Sequence, residues 1–146
     1  MSATNAFETS LLSLIFLNTD IANIGDAAGL QNSAAAGSLY VSLHTADPGE
    51  TGNQTTSEAT YTSYARVAVA RSGAGWAVSG NTADNAAAVT FPACTGGTNT
   101  ITHFGIGTDA SGVGTLLFSG ALTASLAVSS GITPSFATGA LDITAD

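Results

Sequence analysis

Apolar side chains in residues 5–16 (NAFETSLLSLIF) recur every three or four positions. This spacing predicts an amphipathic helix with one apolar stripe, formed by Phe7, Leu11, Leu14 and Ile15. We expect Leu11 and Ile15 to supply most of the buried surface, against the rest of the chain or against a neighbouring subunit. Asn5, followed by Glu8, predicts the N-cap of this helix and its capping box.

From residue 38 onward the apolar residues alternate with polar ones, which is typical of short β-strands. The segments that fit are 38–44, 64–70, 75–78, 88–91, 101–107, 115–122, 125–129 and 140–144. Turn-forming residues separate most of them, and no helical pattern that would join parallel strands lies between them. We therefore predict a mainly β fold, an antiparallel, jelly-roll-like β-sandwich of about eight short strands with an N-terminal helix. Residues 1–37 form the helix and a connector, residues 38–146 form the sandwich, and together they make one compact unit.

Charged residues are scarce, at 8% of 146 residues, against about 25% in ordinary soluble proteins. The net charge is −8, and Arg66 and Arg71 are the only basic side chains, each of which we expect to find a carboxylate. Such a chain neutralises few phosphates and is repelled by anionic lipid, so we expect neither nucleic acid nor membrane as a partner. A surface with so little charge indicates a subunit that other chains cover. The single cysteine, Cys94, excludes an intrachain disulfide and indicates folding in the cytosol.

The segment SLYVSLHTADPGETG (38–52) raises the question of an active site, because His44, Asp47 and Glu50 lie close together in it. The alternative is a strand that runs into a type II turn at Asp-Pro-Gly, and we favour this structural interpretation. A metal site made of His44, His103 and a carboxylate would require that their two strands pair. The sequence has no G-x-S-x-G elbow for a serine nucleophile. We therefore expect no catalytic residue, no metal, no cofactor and no enzymatic activity.

The threonine-rich segment 50–63 (ETGNQTTSEATYTS) is long and polar, so it is either a binding surface or a solvated loop. If partners cover part of the surface, the N-terminal helix, the connector 18–37 and this loop are the segments most able to reach them. We expect Arg66 to form a structural or inter-subunit ion pair. The candidate partner-binding residues are Leu11, Ile15, Glu50, Thr55, Thr56, Tyr61 and Arg66.

The ordered set LYVSLHTADPGETG, YARVAV, GW, VTFPA, THFGIG, LLFSGAL and ALDIT resembles a family of small virion structural proteins of tailed bacteriophages. Members of that family are usually labelled phage tail fibre or phage structural protein. The resemblance covers nearly the whole chain and implies a non-enzymatic structural role in a virion. It also implies synthesis in the host cytoplasm.

Within that family, we expect this chain to be a capsid decoration (cement) protein on the head exterior, because it is short and has neither heptads nor a repeating fibre segment. The alternatives are a tail fibre, collar or tail-tip module, or a carbohydrate-binding module that contacts the host surface. Exposed tyrosines such as Tyr40, Tyr61 and Tyr64 would favour the last of these. The expected partners are major capsid or tail subunits and further copies of the chain in a homo-oligomer.

Overall fold

The computed structural model of the protein describes residues 2–145, which contain one α-helix and nine β-strands. In chain order these are α1 (Asn5–Leu17), β1 (Ser38–His44), β2 (Val67–Ala70), β3 (Trp76–Ser79), β4 (Thr82–Asn85), β5 (Val89–Thr90), β6 (Asn99–Gly107), β7 (Leu116–Val128), β8 (Ser135–Phe136) and β9 (Asp142–Thr144). The chain divides into two compact units. The first comprises the described residues up to Ser38, Ala70–Ala88 and those from Phe136, and the second comprises Leu39–Val69 and Val89–Ser135.

Strand β4 is the central strand of the three-stranded antiparallel sheet of the first unit, between β3 and β9. Alternation does not reveal this strand, because its residues TADN contain a single apolar side chain, Ala83. Asn85 is fully buried and bonds to backbone groups outside the strands. Its Nδ2 donates to the carbonyls of Ala87 and Ala137, at 2.7 and 2.8 Å, and its Oδ1 accepts from the Leu141 amide at 2.8 Å. A buried polar side chain thus anchors a strand in which apolar and polar residues do not alternate.

Helix α1 packs on β3 and β4 of the same unit through Leu12 and Phe16, which are 1% and 0% exposed. The ring of Phe16 meets that of Trp76 edge-on, with ring centres 4.7 Å apart. Within the chain, the prediction that Leu11 and Ile15 supply most of the burial is wrong by one residue, since both are only half-buried. Their burial against a neighbouring subunit stays a prediction. The helix has two apolar stripes, one with Leu11 and Ile15 and one with Leu12 and Phe16. The second stripe faces the sheet, because it places Phe16 against Trp76.

The helix begins one residue earlier than predicted. Thr4 is the N-cap, and its side-chain oxygen accepts a hydrogen bond from the Phe7 amide at 3.4 Å. Asn5 is the first helical residue, so Glu8 lies one position too far along for the predicted capping box. Glu8 nevertheless stands in the first turn, where a carboxylate interacts favourably with the helix dipole.

At the other end of α1, Arg71 binds the carbonyl groups that the helix leaves unpaired. Its Nε donates to the Ile15 carbonyl and its Nη2 to the Leu14 carbonyl, both at 2.6 Å. Its Nη1 donates to the Ala36 carbonyl in the connector at 3.1 Å. Within residues 2–145 these acceptors are neutral, so the expected carboxylate partner for Arg71 is wrong. The charge instead faces the negative end of the helix dipole.

The second unit is built on a four-stranded sheet in the order β2-β1-β6-β7. Strand β1 occupies the predicted segment and pairs antiparallel with β6, which places Ser42 opposite Gly105 and His44 opposite His103. Strand β7 runs antiparallel to β6 and is continuous, so it replaces the two predicted strands 115–122 and 125–129. The buried apolar residues of this unit are Leu39, Val41, Leu43, Ala59, Tyr61, Val69, Val89, Phe91, Cys94, Ile101, Phe104, Ile106 and Val128.

The predicted fold class is confirmed as mainly β, with antiparallel sheets and an N-terminal helix. Among residues 2–145, β4 and β8 are strands that alternation did not predict. The jelly-roll connection stays a prediction, as does the domain boundary at residue 37. Residues 2–37 lie in the first unit together with two later stretches of chain.

The rotation of α1 about its own axis, which decides the side that faces the sheet, is tested with the adjacent Leu11 and Leu12. We expect Leu12→Ala to lower the free energy of unfolding by about 2–5 kcal/mol, because it leaves a cavity under the helix. Leu11→Ala is the matched control and should cost only about 1 kcal/mol, since its side chain is half-buried. Urea unfolding followed by the fluorescence of Trp76, the single tryptophan, measures both. Equal losses would contradict this orientation of the helix.

Candidate partner-binding site

The polar segment after β1 packs against the loop after β6. We call residues 45–63 and 108–115, both in the second unit, the loop cluster. The amide of Gln54 in the first loop donates to the carbonyl of Val113 in the second, at 3.1 Å. Three buried or half-buried polar groups below the loops determine their positions: the imidazole of His44, the ion pair of Arg66 with Glu58, and the side-chain amide of Gln54.

His44 connects the end of β1 to the first loop. Its Nδ1–H donates to the Thr56 carbonyl at 2.8 Å, which leaves Nε2 as the acceptor of the Ser42 hydroxyl, also at 2.8 Å. His44 and Ser42 are both 0% exposed. Burial lowers the pKa of His44, so the ring is neutral at pH 7. Its hydrogen-bond partners are therefore Ser42 and Thr56, and not Asp47 or Glu50 as the active-site alternative would require.

Gly105 leaves the space that this pair of side chains fills. It lies opposite Ser42 in the sheet, and a Cβ atom there would come within 2.6 Å of both Nε2 of His44 and Oγ of Ser42. No side chain larger than hydrogen fits beside the buried hydrogen bond. The glycine is required by close approach within a strand rather than by a turn.

Arg66 joins three segments of the second unit and is 9% exposed. Its Nε and Nη2 bind the two carboxylate oxygens of Glu58, at 2.7 and 2.8 Å, in the paired geometry that a guanidinium favours. Its Nη1 and Nη2 also donate to the carbonyls of Asp109 and Gly112, at 2.9 and 2.7 Å. The hydrogen bonds with Glu58 raise the pKa of Arg66. The ion pair predicted for Arg66 thus forms inside the chain.

Tyr64 completes this cluster from below. Its hydroxyl donates to Oε1 of Glu58 at 3.0 Å and accepts from the Leu43 amide of β1 at 3.1 Å. Burial raises the pKa of Tyr64 far above its usual range, so the hydroxyl remains a donor. Its ring is stacked on Phe91, with ring centres 6.3 Å apart and planes 10° from parallel. The Glu58 carboxylate therefore accepts hydrogen bonds from two side chains, Arg66 and Tyr64.

Gln54 holds the second loop through both atoms of its side-chain amide. The residue is 0% exposed. Its Oε1 accepts from the Asp109 amide at 2.9 Å, and its Nε2 donates to the Asp109 carbonyl at 3.2 Å. The side chain passes between Gly107 and Gly114, where any Cβ atom would overlap it. Gly114 also has a φ of +51°, which disfavours other residues.

A cleft of about 240 Å³ opens beside Arg66 in the loop cluster. Its lining comes from both loops and from the start of β2, namely Glu58, Tyr64, Ala65, Arg66, Ala110, Ser111 and Gly112. The two charges in it, on Arg66 and Glu58, neutralise each other. The cleft therefore has hydroxyl and backbone groups at its rim and no net charge. A protein that docks there would be recognised by shape complementarity more than by electrostatic attraction.

The remaining predicted partner-binding residues have different surroundings. Glu50 and Thr55 are exposed in the loop cluster, and Thr56 is half-buried with its carbonyl bound to His44. Tyr61 is only 3% exposed, and its hydroxyl donates to the Pro92 carbonyl at 3.0 Å. Leu11 and Ile15 lie on α1 in the first unit.

The tyrosines whose exposure would favour a carbohydrate-binding module are not exposed: Tyr61 is buried, and Tyr40 and Tyr64 are half-buried. These rings do not form the open stacking surface that the carbohydrate-binding alternative invoked. The partner-binding role of the predicted set as a whole stays a prediction.

His44 and His103 do lie opposite each other, as a metal site built on them would require. Among residues 2–145, however, no three His, Cys, Asp or Glu side chains are grouped so that they could hold a metal ion. The turn predicted at Asp47 is confirmed in two respects: Oδ1 of Asp47 accepts from the Gly49 amide at 2.9 Å, and Gly49 has a φ of +69°. In the described part of the chain, no helix has the length and hydropathy of a membrane span.

Sequence reasoning missed Gln54, Glu58 and Asp109, which hold the loop cluster together. Gln54 and Glu58 are ordinary polar residues in a polar loop, and nothing in their spacing marks them as buried. The available signal was the closely spaced glycines from Gly105 to Gly114, which leave room for side chains from another segment.

Comparison with known proteins gives one family. A family model described as "Podophage GP4 fiber I protein gp80" matches residues 4–144, which is nearly the whole chain. No curated protein gives a significant match.

The ion pair of Arg66 is tested by removing one partner and then both. Arg66→Met should lower the free energy of unfolding by about 3–5 kcal/mol, because it removes the cation that pairs with the Glu58 carboxylate and the guanidinium hydrogen bonds to the Asp109 and Gly112 carbonyls. The double variant Arg66→Met/Glu58→Met should lose less than the sum of the two single variants, which a double-mutant cycle of urea unfolding measures. Additive losses would show that the two side chains do not interact.

The buried His44 makes stability depend on pH. Its pKa is lowered in the folded state from the ordinary 6.5, so the unfolded chain binds the proton more readily. We expect stability to be full above pH 6.5 and to fall as the pH drops below that value toward the lowered pKa. His44→Gln should remove this part of the pH dependence, as measured by urea unfolding between about pH 5 and 8. The same acid-dependent loss in the variant would assign it to other groups.

Proposed function

Because the chain belongs to the family of the Podophage GP4 fiber I protein gp80, a family of tailed-phage virion structural proteins, we propose that it is a non-enzymatic structural module of a bacteriophage fibre. Its partners are neighbouring virion proteins, and the loop cluster is the surface that docks on them. The observation that carries this proposal beyond the family is the construction of that surface. Its buried polar groups bond to the chain itself, and the charges that line its cleft, on Arg66 and Glu58, are paired with each other.

Rigidity matters for such a role, since a surface that is ordered before docking loses little conformational entropy on association. Arg66, Glu58 and Gln54 hold the two loops at a fixed separation. The exposed side chains of the two loops, such as Thr55 and Ser111, are then accessible to a partner. Polar contacts through hydroxyl and backbone groups fit a chain with few charges.

The non-enzymatic character of the proposed module rests on how the reactive groups are engaged. His44 lies below the surface with both nitrogens bonded to the protein. The carboxylate of Glu58 accepts hydrogen bonds from Arg66 and Tyr64. Cys94 is 1% exposed. Each of these groups is therefore buried or hydrogen-bonded within the protein, and in the proposed module none of them acts on a substrate.

A capsid decoration protein is the second candidate, and the dimensions of the described elements favour it. The strands are 2 to 13 residues long and no element forms an extended shaft within residues 2–145. A compact module of this kind can also cover a capsid surface. Copy number separates the two: decoration of the head requires hundreds of copies per particle, and a fibre requires far fewer.

The docking surface is tested with pairs of surface variants of the virion protein. Thr55→Arg with Ser111→Arg changes the loop cluster, and Thr98→Arg with Ser130→Arg makes the same two changes at other exposed loop positions of the second unit. We expect the first pair to reduce incorporation into particles by about tenfold or more, a cost of about 1.4 kcal/mol. The control pair should be incorporated like the unchanged protein.

Quantitative mass spectrometry of purified particles gives incorporation and copy number, and immunogold labelling gives the location. Equal incorporation of both variant pairs would overturn the docking role of the loop cluster. Absence of the protein from purified particles would overturn the structural role itself.

A further inference from the structure

Strand β7 forms one edge of the four-stranded sheet, with β6 as its only strand neighbour in the described part of the chain. It is 13 residues long, whereas β2 at the opposite edge has four residues and stands between Arg66 and Arg71. A long edge strand presents backbone N–H and C=O groups that another strand can pair with. Proteins usually protect such an edge with charged residues or proline. β7 contains neither.

Only part of this edge is regular enough to pair with another strand. The register between β6 and β7 shifts between Ile101 and His103 and again between Ile106 and Gly107, so Phe118–Ala121 is the longest stretch of β7 in regular register. An apolar side chain lies next to this stretch, since Leu117 is 39% exposed. The edge therefore combines open backbone groups with apolar contact surface.

The distribution of charge indicates what covers this edge. The chain has a net charge of −8, so most contacts between two copies would bring acidic groups together. In residues 110–141, which contain all of β7, there is no Asp, Glu, Lys or Arg, and in residues 85–141 Asp109 is the only one. Two copies that meet along β7 therefore meet where like charges are absent.

Two-fold symmetry also favours a second copy of the chain as the partner of β7. Two identical strands that run antiparallel about a two-fold axis are complementary to each other, because each donor on one finds an acceptor on the other. The opposite edge would have to use β2, which is four residues long against 13 for β7. Pairing of β7 with β7 therefore uses the longer of the two edge strands.

We propose that two copies of the chain pair antiparallel through β7, so that their two four-stranded sheets become continuous. The contact is distinct from the loop cluster and concerns the free chain in solution. It therefore does not rest on the proposed fibre role, and either can fail without the other.

The first test uses lysine substitutions on the two edges of the sheet. Ser119→Lys with Thr123→Lys places two positive charges on exposed positions of β7 in each copy, where they face each other across the pair. Ala68→Lys with Ala70→Lys is the matched control on exposed positions of β2, with the same change in net charge. Sedimentation equilibrium measures the dimer Kd, and Trp76 fluorescence verifies that each variant is folded.

We expect the unchanged chain and the β2 variant to form dimers and the β7 variant to have a Kd raised about tenfold or more. A chain that is monomeric at all concentrations would overturn the proposal, and this is the result expected if a different virion protein covers β7. So would a dimer that the β2 lysines weaken as much as the β7 lysines do.

The second test locates the two-fold axis. Single cysteines at Leu117, Ser119, Ala121 or Thr123 would be the accessible thiols in the described chain, because Cys94 is 1% exposed. Identical positions approach within disulfide distance only near the axis of an antiparallel pair. Oxidative cross-linking should therefore peak at one of these positions and fall on either side. The Ala68→Cys control should stay uncross-linked. Uniformly low yields along β7, or a high yield in the control, would contradict the pairing.

Discussion

Two guanidinium groups supply all the permanent positive charge of the chain, and the structure uses both of them internally. Arg66 joins Glu58 to the carbonyls of Asp109 and Gly112, and Arg71 joins the end of α1 to the connector. A guanidinium can do this because its donors lie in a fixed plane and point in several directions. Each arginine therefore fixes one unit of the chain. What remains for the surface is neutral or negative, so contacts with neighbours depend on shape, hydroxyl groups and backbone.

The fold could be predicted from the sequence where periodicity alone decides the outcome. β1 was predicted to the residue, because its alternation is regular and a Pro-Gly turn follows it. The phase of α1 was not, since Leu11–Leu12 and Ile15–Phe16 give two equivalent stripes and only the Trp76 ring distinguishes them. β4 was not predicted because a buried asparagine, Asn85, takes the place of an apolar residue. Periodicity shows which face of a helix or strand is apolar. It does not show which polar side chains form hydrogen bonds in the interior.

The candidate site was harder to predict for the same physical reason. That Arg66 forms an ion pair could be inferred from its being one of two cations. That Glu58 is the partner depends on how a 14-residue polar segment, 50–63, folds back on the unit. The burial of Tyr61 and Gln54 depends on contacts with Pro92 and Asp109, which lie 31 and 55 residues farther along the chain. Such long-range hydrogen bonds leave no local pattern, apart from the glycines that make room for them.

The first unit is assembled from three separated stretches of chain, and this sets the order in which the protein can fold. α1 packs on β3 and β4, β4 pairs with β9, and the buried Leu141 and Ile143 come from the last of these stretches. During synthesis the helix emerges first, yet the sheet that covers it is incomplete until more than a hundred further residues have been made. Contacts of such sequence separation form slowly, because the intervening chain must first be brought together. Until the sheet is complete, the apolar side chains of α1 are exposed to solvent. They can then cause the growing polypeptide to aggregate.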